Sequence, residues 1–273
     1  PAIGLPTRTE QSDLQFAIYA SHGEFPRAVL APATIEDAFW LTVKAFNLAD
    51  KYQLPVIVIT DHYLASSYST AEKFDLSQVS IDRGILFTDE QSISEKDYKR
   101  HLITPTGISP RAFPMQNRAL VATDSDEHNE EGHLIEDADM RSQMMLKRLR
   151  KIESLRDEID PPRIYGPPNT DVTLIGWGST YGALKEAVDI LTNQGANINL
   201  MHFSQIWPFP TQKVIELLSK TNRSFVVENN ATGQLAQIIR SETGIKATGN
   251  ILKFDGRPFT PMHIVNELEK EGI

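Results

Sequence analysis

The sequence predicts an α/β fold built on parallel sheets, and three observations carry that prediction. Leu54-Pro55-Val56-Ile57-Val58-Ile59-Thr60 is apolar without alternation, the mark of a strand covered on both faces. A helical pattern leads into it, so one strand–helix–strand unit is visible. From Asp171 onward, short apolar runs alternate regularly with amphipathic ones.

Taken in order, Arg27 to Leu30 forms a short strand. Thr34 caps the following helix, with Glu36 and Asp37 in its first turn, where carboxylates favour the dipole. Ala38, Phe39, Thr42, Ala45, Phe46 and Ala49 recur at helical spacing, and the helix ends near Tyr52. The middle of the chain, from about Gly84 to Pro168, is dominated by charge. Within it Met145, Leu149, Ile152, Leu155 and Ile159 predict the apolar face of a helix. Asp160-Pro161-Pro162 stops that helix, because proline cannot continue the hydrogen-bond ladder. Gly166-Pro167-Pro168 reads as a linker. Beyond it, strands are expected at 171–177, 197–203, 223–228 and 250–254. The helices between and after them are expected at 179–191, 211–219, 233–241 and 261–269. No short-period repeat is visible.

Composition narrows the function classes. At 273 residues, with 40% apolar residues, the chain has room for about two domains and their cores. The formal net charge of −9 argues against a nucleic-acid binder, which needs a basic face. No apolar run approaches the ~20 residues of a membrane span. Cysteine is absent, which excludes disulfides, thiol nucleophiles and Cys-bound iron–sulfur clusters in this chain and fits a cytoplasmic location. The first residue is Pro1 rather than Met, the opening residues do not read as a signal peptide, and a fragment or processed chain is expected.

Several stretches stand in register along the chain: Gly4-Leu5-Pro6-Thr7-Arg8-Thr9-Glu10-Gln11, His22-Gly23-Glu24-Phe25-Pro26-Arg27, Asp124-Ser125-Asp126-Glu127-His128 with Glu131-Gly132-His133, Gly176-Trp177-Gly178-Ser179, and Trp207-Pro208-Phe209-Pro210 followed by Val227-Glu228-Asn229-Asn230-Ala231-Thr232-Gly233-Gln234. Together they resemble the alpha subunits of 2-oxoglutarate-type 2-oxoacid:ferredoxin oxidoreductases, over essentially the whole length. The resemblance implies the C-terminal part of a pyrimidine-type thiamine diphosphate-binding domain at 1–108, a charged helical connector at 109–168, and a transketolase C-terminal-like domain at 169–273. It implies oxidative decarboxylation of 2-oxoglutarate or a related 2-oxoacid to an acyl-coenzyme A, with electrons passed to ferredoxin. Thiamine diphosphate with Mg and a [4Fe-4S] cluster are implied on a partner beta subunit, with this chain inactive alone. The family's activating glutamate belongs to a segment that would precede Pro1. Pro1-Ala2-Ile3-Gly4 departs from the family's Gly-Pro-Ser-Thr-Gly. A non-catalytic scaffold and a transketolase-type enzyme are the alternatives.

Candidate site residues follow from the resemblance and from their chemistry. A guanidinium binds a carboxylate bidentately, so Arg8 is the candidate for the 2-oxoacid carboxylate, with Thr7 as a hydroxyl donor; a surface arginine after a proline turn is the other reading. His22 and Arg27 are candidates for a distal acidic group, or they hold a loop by local hydrogen bonds. The carboxylates and imidazoles of 124–133 could ligate a metal, but their spacing matches neither a calcium loop nor His-Glu-x-x-His, which favours a solvated or subunit-contacting segment. Gly176–Ser179 could cradle an anion or form a tight turn. Glu228-Asn229-Asn230 could meet a ligand at the sheet's carboxyl edge or serve as a turn and cap.

Overall fold

The computed structural model describes residues 5–87, 98–115 and 119–273. The expected departure at Pro1–Gly4 lies outside them.

The first part runs α1 (Leu14–Tyr19), β1 (Ala28–Leu30), α2 (Ile35–Tyr52), β2 (Val56–Val58) and the single turn α3 (His62–Ala65). Thr34 caps α2 as its sequence predicts, its hydroxyl accepting from Asp37 N at 3.1 Å. The buried stripe of α2 is not the expected one. Leu41, Ala45, Leu48 and Tyr52 face inward, whereas Phe46 is 74% exposed. Phe39 instead stacks on Phe74, ring centroids 4.2 Å apart, under the segment that follows α3. The helix is apolar on two sides, and both sides are used.

The connector folds as α4 (Ala138–Arg156), capped by Asp137 on Met140 N. Its inward face is Met144, Lys147, Lys151 and Leu155, continued by Ile159 just beyond the helix, while Leu149 is partly exposed. The predicted stripe is therefore right at Leu155 and Ile159 and rotated toward solvent at Leu149. Two lysines take core-facing positions that a hydrophobicity pattern leaves out. Leu155 and Ile159 join Leu41, Ala45 and Leu48 in one cluster, so the connector is the lid of the first part's core.

The remaining elements are β3 (Arg163–Tyr165), β4 (Thr170–Trp177), α5 (Tyr181–Asn193), β5 (Ile198–Phe203), β6 (Gln205–Trp207), α6 (Thr211–Leu218), β7 (Thr221–Glu228), α7 (Gln234–Thr243), β8 (Gly249–Leu252) and α8 (Pro261–Lys270). Five strands form one sheet in the order β3-β5-β4-β7-β8. The last four of that order are parallel and β3 is an antiparallel edge. Helices cover both faces. Leu184, Val188, Ile264 and Val265 cover one with Leu174 and Phe225, and Leu235 and Ile238 cover the other with Ile175 and Met201. Each such side chain contributes roughly 1.5–3 kcal/mol on burial.

The other sheet has the order β2-β1-β6. β1 and β2 pair in parallel, Leu30 opposite Val58, while β6 lies antiparallel on the other side of β1, Leu30 opposite Gln205. A strand from the last third of the sequence thus completes the sheet of the first, and Leu14, Val29 and Ala31 share a core with Met201, Phe203 and Ile238. Among the described residues no helix is long and apolar enough to cross a membrane.

Candidate functional site

In open α/β sheets ligands gather beyond the carboxyl ends of the parallel strands. Here β4 ends at Trp177, β7 at Glu228 and β2 at Val58, and the segment Leu5–Ser12 lies across these ends, tied to both sheets. Gln11 is its anchor, buried to 3% exposure. Gln11 N donates to Asn229 O at 2.7 Å, Asn229 N donates to Gln11 Oε1 at 3.0 Å, and Gln11 Nε2 donates to Trp177 O at 2.9 Å. Asn230 Nδ2 closes the set on Gln11 O at 3.1 Å. From the other side Tyr63 N donates to the buried Thr9 hydroxyl at 3.2 Å.

Glu228 underlies this anchor. It is fully buried, and its carboxylate accepts from Trp177 Nε1, Asn230 Nδ2, Leu235 N and Ala236 N at 2.9–3.2 Å. The last two are free amides of the first turn of α7, where a negative charge is favoured. Burial still pushes the Glu228 carboxyl above the usual carboxylate range, against the pull of these four donors. Asn230 Oδ1 accepts from Gly233 N at 2.7 Å, so the turn-and-cap reading of Glu228-Asn229-Asn230 is the one with visible bonds.

Held this way, the segment presents Thr7 and Arg8 at the surface. Thr7 has φ 51, the left-handed region that costs a β-branched residue of the order of 1–3 kcal/mol and that is found at functional sites. Arg8 is exposed, its guanidinium resting on Thr7 O at 3.1 Å. The two residues named from the sequence are thus neighbours on one strained corner. A small polar cavity of about 10 Å³ lies beneath, lined by Glu10, Gln11, Asp61, Trp177 and Ser179; it has room for a single water and no substrate.

Arg27 is placed differently. It is 6% exposed, one guanidinium nitrogen donating to the carbonyls of Ala17 and Ala20 at the end of α1, with the Phe25 ring 4.3 Å away. These bonds satisfy carbonyls at the end of α1, the local hydrogen bonding that was the other reading of Arg27. His22 is exposed in the turn after α1, between Ser21 at φ 127 and Gly23 at φ +76. The structure does not bring it together with Arg27.

The acidic segment is an ion-paired strap. Glu127 takes Arg148 at 2.6 and 3.0 Å, and Glu130 takes Lys99 at 2.7 Å and Ile103 N at 2.8 Å. Gly176 and Gly178 serve packing and turning: a Cβ on Gly176 would sit 2.2 Å from Leu184 Cδ1, and Gly178 has φ +56. Behind that turn, the buried His202 donates from Nε2 to Gly178 O at 3.0 Å, while its Nδ1 has no partner among the described residues. Ser179 donates to Asp61, a second tie between the two parts of the fold.

Fold and site define a class: an α/β chain whose two sheets share a core, with an arginine-bearing loop across the carboxyl ends of their parallel strands. The chain belongs to the pyruvate flavodoxin/ferredoxin oxidoreductase family. Residues 1–147 match its thiamine diphosphate-binding domain, and residues 170–264 match core domain II of pyruvate:ferredoxin oxidoreductase. The chain is 41% identical, over its full length, to the alpha subunit of a 2-oxoacid:ferredoxin oxidoreductase of Sulfurisphaera tokodaii, of which it spans 42%. It is 24% identical to the 2-oxoglutarate synthase subunit KorA of Methanothermobacter marburgensis, over 98% of this chain and 70% of that one. A solved 2-oxoglutarate:ferredoxin oxidoreductase from Magnetococcus marinus, with 2-oxoglutarate, coenzyme A and succinyl-CoA bound, superimposes at a TM-score of 0.91 and 35% identity, covering 99% of this chain and 46% of that one.

Proposed function

We propose that this chain is part of an alpha subunit of a 2-oxoacid:ferredoxin oxidoreductase, and that its Thr7–Arg8 corner binds the carboxylate of the 2-oxoacid. The observation that carries the proposal is the strained, surface-presented Thr7–Arg8 turn, anchored by buried hydrogen bonds over the strand ends of a chain of this family. Arg8 supplies a permanent cation with paired donors, and Thr7 a hydroxyl beside it. Their role is to bind and orient a 2-oxoacid, 2-oxoglutarate or a relative, so that its carboxylate is held while the adjacent carbonyl reacts.

Thiamine diphosphate, when bound by the whole complex, supplies the carbanion chemistry of decarboxylation. An arginine and a hydroxyl fit a substrate carboxylate next to that cofactor. Without cysteine, the residues of this chain do not fit a thiolate-held iron–sulfur cluster. That cluster, the Mg-diphosphate site and the contact with ferredoxin are assigned to a beta subunit, and coenzyme A is the acyl acceptor. The cytoplasm is the proposed compartment.

The test is co-purification with a cysteine-rich beta subunit and assay with 2-oxoglutarate, coenzyme A and a low-potential acceptor dye. Dye reduction is expected. An intact complex that reduces no dye with any 2-oxoacid sinks the oxidoreductase proposal. Arg8→Ala in that complex is expected to raise the 2-oxoacid KM about 10- to 100-fold, the worth of one charge-assisted pair. Unchanged KM and kcat would remove Arg8 from the site.

A further inference from the structure

The turn after β8 packs directly against Arg8. Gly256 is buried between the exposed Asp255 and Arg257 and has φ +76. A Cβ placed on it would lie 2.9 Å from Arg8 Cβ, 3.3 Å from Arg8 Cγ and 3.2 Å from Leu5 Cδ1. The root of the Arg8 side chain therefore rests on bare backbone contributed by the far end of the chain. That backbone is itself tied down. Asn229 Nδ2 donates to Lys253 O at 3.3 Å and to Arg257 O at 3.1 Å, and Arg257 N donates to Asp255 Oδ1 at 3.0 Å. Asn229 is also the residue whose main chain exchanges two hydrogen bonds with Gln11, three positions after Arg8. One buried asparagine thus holds both walls of the slot in which Arg8 stands.

We infer that Gly256 and Asn229 are positioning residues for the 2-oxoacid: they fix where the Arg8 guanidinium points, and through it how the substrate carboxylate is seated. This rests on the reading of Arg8 as the carboxylate-binding residue. The physical lever is simple. The Cβ–Cβ distance of 2.9 Å falls at the rigid base of the arginine, so any side chain at 256 shifts the whole of Arg8 rather than bending its tip. A displacement near 1 Å at a binding group costs on the order of 10²-fold in efficiency.

The experiment uses the full alpha–beta complex. Gly256→Asn adds a Cβ while tolerating the left-handed backbone better than other side chains do. Gly272→Asn is the control for backbone cost alone, since Gly272 has φ +78 and nothing within 4 Å. Gly256→Asn is expected to raise the 2-oxoacid KM at least about tenfold over the Gly272→Asn complex and to leave the coenzyme A KM unmoved. Thermal unfolding should match that of the control. Asn229→Ala, which keeps the main-chain exchange with Gln11 and frees the turn, should shift KM in the same direction and serves if Gly256→Asn does not assemble. A 2-oxoacid KM within twofold of the control, for whichever variants assemble, overturns the inference. Arg8→Ala run in parallel separates the two ideas. If it leaves KM unchanged, the reading of Arg8 fails and this inference with it; if it raises KM while Gly256→Asn and Asn229→Ala do not, the positioning role alone fails.

Discussion

His202 stands wholly inside the protein, one ring nitrogen on Gly178 O and the other without a partner among the described residues. Burial drives its pKa from 6.5 down to about 4. The unfolded chain therefore takes up a proton between these values that the folded chain refuses, and stability is lost as pH falls from about 6.5 toward 4. Between pH 7 and pH 5 the loss from this residue is about 2 kcal/mol. Urea unfolding at the two pH values measures it, and His202→Gln should remove most of the difference. An unaltered pH dependence in that variant would mean that another group, such as the half-buried His101 with its pKa near 3, carries it. Thr7 and Arg8 can be proposed from the sequence because the resemblance falls there on one contiguous stretch, Leu5 to Gln11. The inward turn of the Arg27 guanidinium cannot be read that way, since only the packing of α1 over it decides it. Asn229 and Gly256 lie more than 200 positions from the Arg8–Gln11 segment they hold, and nothing short-range marks them as partners of Arg8.

Elements β4, α5, β5, α6, β7, α7, β8 and α8 are legible to within two residues, because each apolar strand there is bounded by a turn or a cap. β3 and β6 are missed for the opposite reason. Each has three residues, the first directly after Pro161-Pro162 and the second one residue beyond β5. The helix faces fail in a more instructive way. On α4, Lys147 and Lys151 occupy inward positions, and Lys151 donates to Gln53 O at 2.9 Å. Burial, together with the nearby cations Lys151, Arg100 and Arg148, lowers Lys147 to about 7. A buried ammonium with like-charged neighbours costs more than the methylenes recover. Lys147→Met is therefore expected to raise stability by about 1–2 kcal/mol at neutral pH. The gain should shrink as pH rises from about 7 toward 10.5, because the unfolded chain then gives up the same proton and folding no longer has to expel it. Denaturant midpoints of the two proteins across that range decide it, and a destabilised Met variant would show that the ammonium has a partner worth keeping.

For the whole molecule, contacts join the parts that the resemblance places at 1–108 and 169–273. β6 pairs with β1, the cores on either side share Leu14, Val29, Met201 and Phe203, and Asp37 of α2 receives Arg163 at 2.7 Å and the Ser204 hydroxyl at 3.2 Å. Two parts joined through a common core unfold together. Trp40 on α2 and Trp177 at the end of β4 report on opposite sides. Variants retaining one or the other as sole tryptophan should show coincident denaturation midpoints. Two separated transitions would mean that the halves are independent after all.

The β1–β6 pairing also sets a timetable. Leu30 finds Gln205 only after another 175 residues have been made, which at 5–20 residues per second is roughly 10 to 35 s of synthesis. Throughout that interval the apolar edge of Ala28–Leu30 has been translated and its partner has not. On the ribosome this chain therefore carries an unmatched strand edge throughout that interval, open to any other nascent strand, and a chaperone that shields Ala28–Leu30 would act where the fold is slowest to protect itself.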